Sequence, residues 1–251
     1  MEVHKHPDLH HKKKHLKEYL LEFLMIFLAV TLGFLAENLR EHFTDRSKER
    51  EYIKGFIRNM QDDTATLKHV ISFDNKQVRG IDSFLLLRRA NMKLDSNRRN
   101  FYFLSYGNFY SSATFTSNNA TLQQLKSTGD YRLIQKDHVA DSLSKYDTDI
   151  QGLTIQTNYY NEYFKEILSR LDEVTDMSVY GDTTYIKDGI FTSKSFPELS
   201  VNDGQLRTLF NKAFDFRLIT SSYANGMLKP QLENATRLIS FLKKEYQIGD
   251  N

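Results

Sequence analysis

The sequence predicts an all-α protein in which a single N-terminal transmembrane helix is followed by an elongated antiparallel helical bundle. Three observations support this prediction. One segment, Tyr19 to Leu39, is far more apolar than the rest of a 251-residue chain whose mean hydropathy is −0.54. The chain contains only three prolines, so that long helices meet few breakers. Apolar residues also recur every three or four positions over three long stretches.

The apolar segment reads YLLEFLMIFLAVTLGFLAENL and predicts a membrane-spanning helix over residues 16–39. Its uncharged part, Phe23 to Ala36, has 14 residues, whereas about 20 predominantly apolar residues span the hydrocarbon core. The leucines before it extend the run, because Glu22 lies about one turn from the basic flank and can reach water there. A cleaved signal peptide is the alternative, but cleavage at Ala36 would place bulky Phe34 where a small residue is needed. We therefore expect an uncleaved anchor.

The charges on either side of the span determine its expected orientation. The cluster KKKHLK over residues 12–17 precedes the span, and basic residues interleaved with acidic ones follow it. By the positive-inside rule this cluster favours a cytoplasmic N-terminus. We expect residues 1–15 to form a basic His- and Lys-rich tail and residues 40–251 to form an extracytoplasmic helical domain. In a bacterial cell this is a single-pass inner-membrane protein with a periplasmic C-terminal domain.

Composition argues against several classes of protein. The 34 basic and 32 acidic residues give a net charge of +2, and no basic stripe indicates nucleic-acid binding. The chain has no cysteine, which excludes a disulfide framework and any thiolate metal site.

The periodicity predicts three long helices beyond the span. Apolar residues at heptad spacing place one stripe of each helix against its neighbours. The first series is Ile53, Ile57, Met60, Thr64, Leu67, Ile71, Val78, Ile81 and Leu85, with Asp74 as a polar interruption. The second is Val139, Leu143, Tyr146, Ile150, Leu153, Thr157, Tyr160, Phe164, Ile167, Leu171 and Val174. The third is Leu209, Ala213, Phe216, Thr220, Tyr223 and Met227, resuming at Ala235, Leu238 and Leu242.

Shorter elements are expected between these helices. Asn118 or Asn119 can cap a short helix through Leu125, which Gly129 would end. Residues 175–200 predict an irregular insertion, in which two glycine-containing turn signals around alternating residues allow a small hairpin. In the last long helix, Gly226 and Pro230 predict a kink, because proline removes a backbone donor.

The chain resembles an uncharacterised family of single-span, membrane-anchored helical proteins of Bacteroidota. The resemblance rests on the basic N-terminus, on the span with Glu22 near its start, on the charged helix REYIKGFIRNMQDDTATL and on the turn LQQLKSTGDYRLI. It implies the architecture described above and no activity, since the family has none assigned.

Two groups of residues are candidates for binding. Glu22, Ile26, Ala29, Gly33 and Ala36 fall at steps of four, three, four and three, so they share one face of the membrane helix. Three of the five are small, which lets membrane helices approach closely, although ordinary span composition is the alternative. The aromatic stretch between the first two long helices could line a ligand pocket, but such residues are more often core; its members are Phe101, Tyr102, Tyr106, Phe109 and Tyr110.

Metal binding has one weak candidate, a histidine cluster in the tail. Imidazoles at this density can hold Zn, Ni or Cu, but a flexible leader is the favoured interpretation for His4, His6, His10, His11 and His15. His69 and His138 are expected on helix surfaces without a carboxylate partner. The acidic pairs Asp62-Asp63 and Asp147-x-Asp149 are interpreted as solvated faces rather than metal sites.

No catalytic signature occurs in the sequence. HExxH, GxSxG and phosphate-loop patterns are absent, as are the Glu-x-x-His pairs of di-iron bundles. We therefore predict no enzymatic activity and no cofactor. The expected function is that of a membrane-anchored scaffold or subunit that binds the lipid bilayer and either itself or a membrane-protein partner. The alternative is an extracytoplasmic sensor or ligand-binding bundle that signals through a partner.

Overall fold

The structure, a computed structural model, describes residues 16–199 and 201–249 of the chain. Over these residues it is all-α with one small two-stranded hairpin, which confirms the all-α part of the predicted fold class. The chain divides into two compact units, residues 1–51 and residues 52–251. The predicted basic tail, residues 1–15, lies outside the described residues.

Six α-helices account for most of the described chain. The first passes through the predicted boundary between residues 39 and 40 without a break. Short 3₁₀ turns follow α1, α3 and α4. The bounds are Leu16–Leu85 for α1, Asp95–Phe109 for α2, Ala120–Thr128 for α3, Asp137–Asp172 for α4, Asp203–Ser221 for α5 and Lys229–Glu245 for α6.

The stripe predicted for α4 forms the centre of the core in the second unit. Ten of its eleven residues, from Val139 to Val174, are buried, and Phe164 is half-buried against the same cluster. Each step of three or four residues returns to the same side of a 3.6-residue helix. The packing prediction for this helix is therefore confirmed.

The stripe of α1 in the second unit agrees with the prediction at five positions and differs from it at four. Ile53, Ile57, Met60, Leu67 and Ile81 are buried as expected. The other predicted residues, Thr64, Ile71, Val78 and Leu85, are only half-buried. At these four places the residue one position earlier is buried instead, namely Asp63, Val70, Gln77 and Phe84. Asp63 and Gln77 belong to this buried stripe. Hydrophobic periodicity does not reveal it, because polar residues at core positions give the same pattern as a solvent-facing surface.

The third predicted helix is interrupted near its middle. A π-helical segment over Ser222–Leu228 joins α5 to α6, and Pro230 lies in the first turn of α6. Proline has no amide hydrogen to donate to the carbonyl four residues earlier, here that of Gly226. The region in which Gly226 and Pro230 predict a kink is therefore occupied by a π-helical segment and the start of α6.

The short helix α3 ends as predicted, and its start combines a local cap with a tertiary one. Gly129 follows it in the left-handed conformation with φ of 73°. Of the two predicted caps, Asn119 makes no capping hydrogen bond with its side chain, whereas Asn118 Oδ1 accepts from the amide of Ala120 at 3.4 Å. Asn59 of α1 adds a tertiary cap, because its Oδ1 accepts from the amide of Thr121 at 3.1 Å.

The hairpin predicted within residues 175–200 is confirmed. Strands β1, Ile186–Lys187, and β2, Ile190–Phe191, pair antiparallel across Asp188 and Gly189. Both turn residues have positive φ, 52° and 74°, as a type I′ turn requires.

Candidate functional site

The apolar part of α1 is exposed along its length. An 18-residue window of mean hydropathy 2.2 has none of its residues buried, and it lies near the N-terminus. α1 is the one helix among the described residues that is long and apolar enough to cross a membrane. Exposed side chains of this kind include Phe23, Ile26 and Phe34, with 64%, 67% and 74% of their surfaces accessible.

The predicted interface residues are brought together on one face of this segment, because α1 is helical throughout. Ile26, Ala29, Gly33 and Ala36 are exposed, and Glu22 is half-buried. A Cβ added at Gly33 would meet no atom within 4 Å. Space for a close helix partner is therefore present along this face.

The aromatic stretch forms helix α2, for which the sequence analysis predicts no element. Phe101 and Phe109 are fully buried against Phe84, with ring centroids 5.2 and 5.0 Å away, and Phe210 joins them at 5.1 Å from Phe84.

The other three predicted pocket residues contact a second group of aromatic side chains. Tyr102 is buried against Phe196, with ring centroids 5.4 Å apart, and the rings of Tyr106 and Tyr110 each lie 5.1 Å from that of Tyr180. These five side chains pack on protein aromatics, and burial raises the pKa of Tyr110 to about 12.

A row of buried polar groups crosses the core of the second unit, and we call it the polar seam. It contains groups from α1, α4 and the π-helical segment. Its members are Asp63, Asp74, Gln77, Tyr146, Thr157, Tyr160 and Tyr223, and all have at most 9% of their surface accessible.

At one end of the polar seam, Asp63 is held by three donors. Its carboxylate accepts from Ser117 Oγ at 2.6 Å, from the Asn118 amide at 2.6 Å and from Tyr146 Oη at 2.9 Å. Burial raises the pKa of Asp63, and the three hydrogen bonds act against that rise. Asp63 is therefore not part of a solvated acidic pair, as the sequence analysis expects, but ties the loop before α3 to α4.

Asp74 lies farther along α1 and has no such partners. Its side chain is fully buried, and neither carboxylate oxygen has a hydrogen-bond partner. Burial raises its pKa from 3.8 to about 7, since a charged carboxylate loses its hydration in the core. Buried polar groups are nearly always paired, so an unpaired carboxyl is a feature that needs an explanation other than stability.

Two phenols lie close to Asp74. A charge on Asp74 adds to burial in raising the pKa of Tyr160 and of Tyr223. The Tyr160 hydroxyl donates to Gln77 Oε1 at 3.3 Å, and the Tyr223 hydroxyl lies 2.8 Å from Thr157 Oγ1. The phenol groups are thus engaged elsewhere, which leaves the carboxyl without a donor.

An open groove of about 520 Å³ runs between α4 and the π-helical segment with α6, and we call it the α4–α6 groove. Its walls combine charged and amide side chains with an apolar floor. Residues that line it include Lys145, Asp149, Gly152, Gln156, Asn234 and Arg237.

The histidines of the chain were candidates for metal ligands. The described residues contain no group of three or more His, Cys, Asp or Glu side chains able to hold a metal ion. The candidates His4, His6, His10, His11 and His15 lie outside the described residues. His138 differs from its prediction, since its Nε2 lies 3.2 Å from Glu245 Oε2, which also binds Lys136 Nζ at 3.0 Å.

Comparisons with protein-family models, with curated proteins and with solved structures found no match to this chain. The resemblance to a Bacteroidota family therefore stays a prediction.

The sequence analysis missed the polar seam and the α4–α6 groove. Asp74 interrupts the apolar series of α1, and a carboxylate at a heptad core position is itself a signal of a buried polar group. Gly152 was the available signal for the groove, because a glycine inside a long helical pattern requires a reason.

Proposed function

We propose that this chain is a non-enzymatic, membrane-anchored helical protein that acts as a scaffold or subunit of a membrane complex. The observation that supports this most is the exposed apolar face of α1, which none of the described residues covers over an 18-residue window. Every backbone polar group within a helix is satisfied internally, so such a segment is stable in lipid. In water the same surface would favour aggregation.

The proposed topology follows from the lysine cluster. Lys12, Lys13, Lys14 and Lys17 precede the span, and basic residues near a span are retained in the cytoplasm. The N-terminus is then cytoplasmic, the helical domain after the span lies in the bacterial periplasm, and its helices pack as an antiparallel bundle.

Association occurs through the face that carries Glu22, Ile26, Ala29, Gly33 and Ala36. Small residues on this face allow two backbones to come close enough for dispersion to hold them together. Glu22 on the same face can hydrogen-bond across the interface instead of facing lipid, where burial of a carboxylate is costly. The partner is a second copy of this helix or a helix of another membrane protein.

We expect Gly33→Ile to weaken association of the membrane helix. The added side chain would occupy the space now open at Gly33 and keep the two backbones apart. A two-hybrid assay for membrane helices measures this, with Leu32→Ile as the matched control, since Leu32 lies 100° away around the helix. Equal signals from the parent, Gly33→Ile and Leu32→Ile would mean that the helix is a simple anchor.

A second function is supported by a different observation. The unpaired carboxyl of Asp74 and the open α4–α6 groove are features that stability alone does not favour. We propose as the alternative that the helical domain binds a ligand and signals through a partner.

A further inference from the structure

Two cationic side chains of the α4–α6 groove are free of ion pairs. Lys145 comes from α4 and Arg237 from α6, so the groove places them on opposite walls. Neither forms an ion pair or a hydrogen bond with any described residue, whereas Lys126 and Lys136 on neighbouring parts of the domain are both paired. Two unpaired cations across one groove favour an anionic occupant.

The single carboxylate on the groove wall is already engaged. Asp149 Oδ2 accepts from Asn234 Nδ2 at 3.2 Å. Among the charged residues that line the groove, the two cations thus outnumber the one anion.

Gly152 forms part of the groove without a structural reason to be glycine. It lies inside α4, where its backbone is helical, and a Cβ added there would meet no atom within 4 Å. Glycine is the poorest helix former after proline, so its presence here costs stability. A missing side chain that no protein neighbour requires leaves room for a ligand to approach the helix backbone.

Three further features of the groove match a binding site. Its wall includes the π-helical segment Ser222–Leu228, and such segments occur frequently at functional sites. Leu153 and Met227 supply apolar surface, while Gln156 supplies an amide donor. Gln231, which also lines the groove, is buried and its Nε2 has no hydrogen-bond partner.

We propose that the α4–α6 groove binds a small organic anion, with a carboxylate or phosphate group between Lys145 and Arg237 and an apolar body over Leu153 and Met227. The groove volume of about 520 Å³ lies within the usual range of small-molecule sites. This inference deepens the ligand-binding function proposed above and does not depend on association of the membrane helix.

The test uses the full chain in a non-ionic detergent and isothermal titration calorimetry. The probes are phenyl phosphate and benzoate, with benzyl alcohol as the neutral counterpart. We expect the better anion to bind with a Kd on the order of 1 mM, and benzyl alcohol to bind at least about tenfold more weakly. Lys145→Gln and Arg237→Gln should each weaken anion binding on the order of tenfold, since each removes one charge-assisted contact.

Gly152→Phe should abolish binding of both anions, because a Cβ at this position enters open space within the groove and the ring attached to it would occupy that space. Its matched control is Gly107→Phe, at another helical glycine with open space around it and outside the groove. Lys244→Gln, on the exposed surface of α6, is the control for loss of one positive charge.

The proposal is overturned if neither anion binds the parent more tightly than benzyl alcohol. It is also overturned if both anions bind but Lys145→Gln, Arg237→Gln and Gly152→Phe all leave their affinity unchanged. Membrane insertion is unaffected by either outcome, so a failure here is distinct from a failure of the anchoring role.

Discussion

Replacing Asp74 with asparagine is expected to stabilise the folded protein at pH 8 by up to about 4 kcal/mol. The Asp74 carboxyl is fully buried, without a hydrogen-bond partner, and its pKa is raised from 3.8 to about 7. At pH 8 the Asp74 carboxyl must either be charged inside the core or stay protonated at a pH above its pKa, and both states cost free energy. Asparagine has the same shape and carries no charge, so the variant avoids this cost.

The effect depends on pH with a defined sign. Because the folded pKa of Asp74 lies above its unfolded value, the parent binds one more proton when folded between about pH 4 and pH 7. The contribution of Asp74 to the free energy of unfolding of the parent is therefore fully present below about pH 4. This contribution is lost as the pH rises through about 7. The difference between the variant and the parent should shrink below about 1 kcal/mol at pH 4.

Urea unfolding of the full chain in detergent, followed by circular dichroism at pH 4 and pH 8, measures both values. Asp141→Asn on the exposed face of α4 is the matched control and should change the free energy of unfolding by less than about 0.5 kcal/mol. A loss of stability in Asp74→Asn at pH 8, or a gain of equal size at both pH values, would contradict this account of the Asp74 environment.

The same substitution at Asp63 should have the opposite effect and lower the free energy of unfolding by about 3 kcal/mol at pH 8. Asp63 accepts hydrogen bonds from Ser117, the Asn118 amide and Tyr146. An amide group has only one acceptor oxygen, and its NH₂ would face donors rather than acceptors. At least one buried donor would then lose its partner, and the remaining bonds would lose their charge assistance.

The control for Asp63→Asn is Asp62→Asn, one residue earlier on the exposed side of α1. Asp62 makes one exposed hydrogen bond, to Asn118 Nδ2 at 3.0 Å, so its loss should cost less than about 1 kcal/mol. Urea unfolding at pH 8 compares the two variants with the parent. If Asp63→Asn proved neutral or stabilising, the three donors would not be holding a carboxylate in place.

Asp63 and Asp74 lie 11 residues apart on one face of α1, and both are buried. They differ in their surroundings, because the first has three donors and the second has none. If Asp63→Asn lowers the free energy of unfolding and Asp74→Asn raises it, then the Asp63 carboxylate stabilises the fold, whereas the Asp74 carboxylate is present at a cost to stability. Residues of the second kind are expected where a protein has a function other than folding.

Local sequence patterns are sufficient to predict those elements in which the residue types match their burial and backbone conformation. The α4 series, from Val139 to Val174, is apolar at nearly every buried position, so heptad spacing alone predicts its core face. Asp188-Gly189 predicts the hairpin because few other residue pairs adopt positive φ at both positions of a type I′ turn. Gly129 ends α3 for the same conformational reason.

The remaining features depend on contacts between distant segments. Asp63 is acceptable in the core only because Ser117, Asn118 and Tyr146 reach it from elsewhere in the chain, which periodicity cannot reveal. The aromatic side chains of α2 face two apolar clusters, so that helix lacks a single apolar stripe. The α4–α6 groove is likewise formed by residues far apart in the chain, such as Asp149 and Asn234, which are 85 positions apart.

The central claim is that the apolar part of α1 spans a membrane with its N-terminus in the cytoplasm. The chain contains no cysteine, so single cysteines introduced at Glu18, Leu28 and Ser47 can be labelled selectively. A membrane-impermeant maleimide added to intact spheroplasts should label Ser47→Cys at once and Glu18→Cys only after the membrane is opened. Leu28→Cys should stay unlabelled in both conditions, because lipid surrounds it. Labelling of Leu28→Cys as fast as Ser47→Cys in opened membranes would contradict the span, and exchange of the Glu18 and Ser47 results would contradict the orientation.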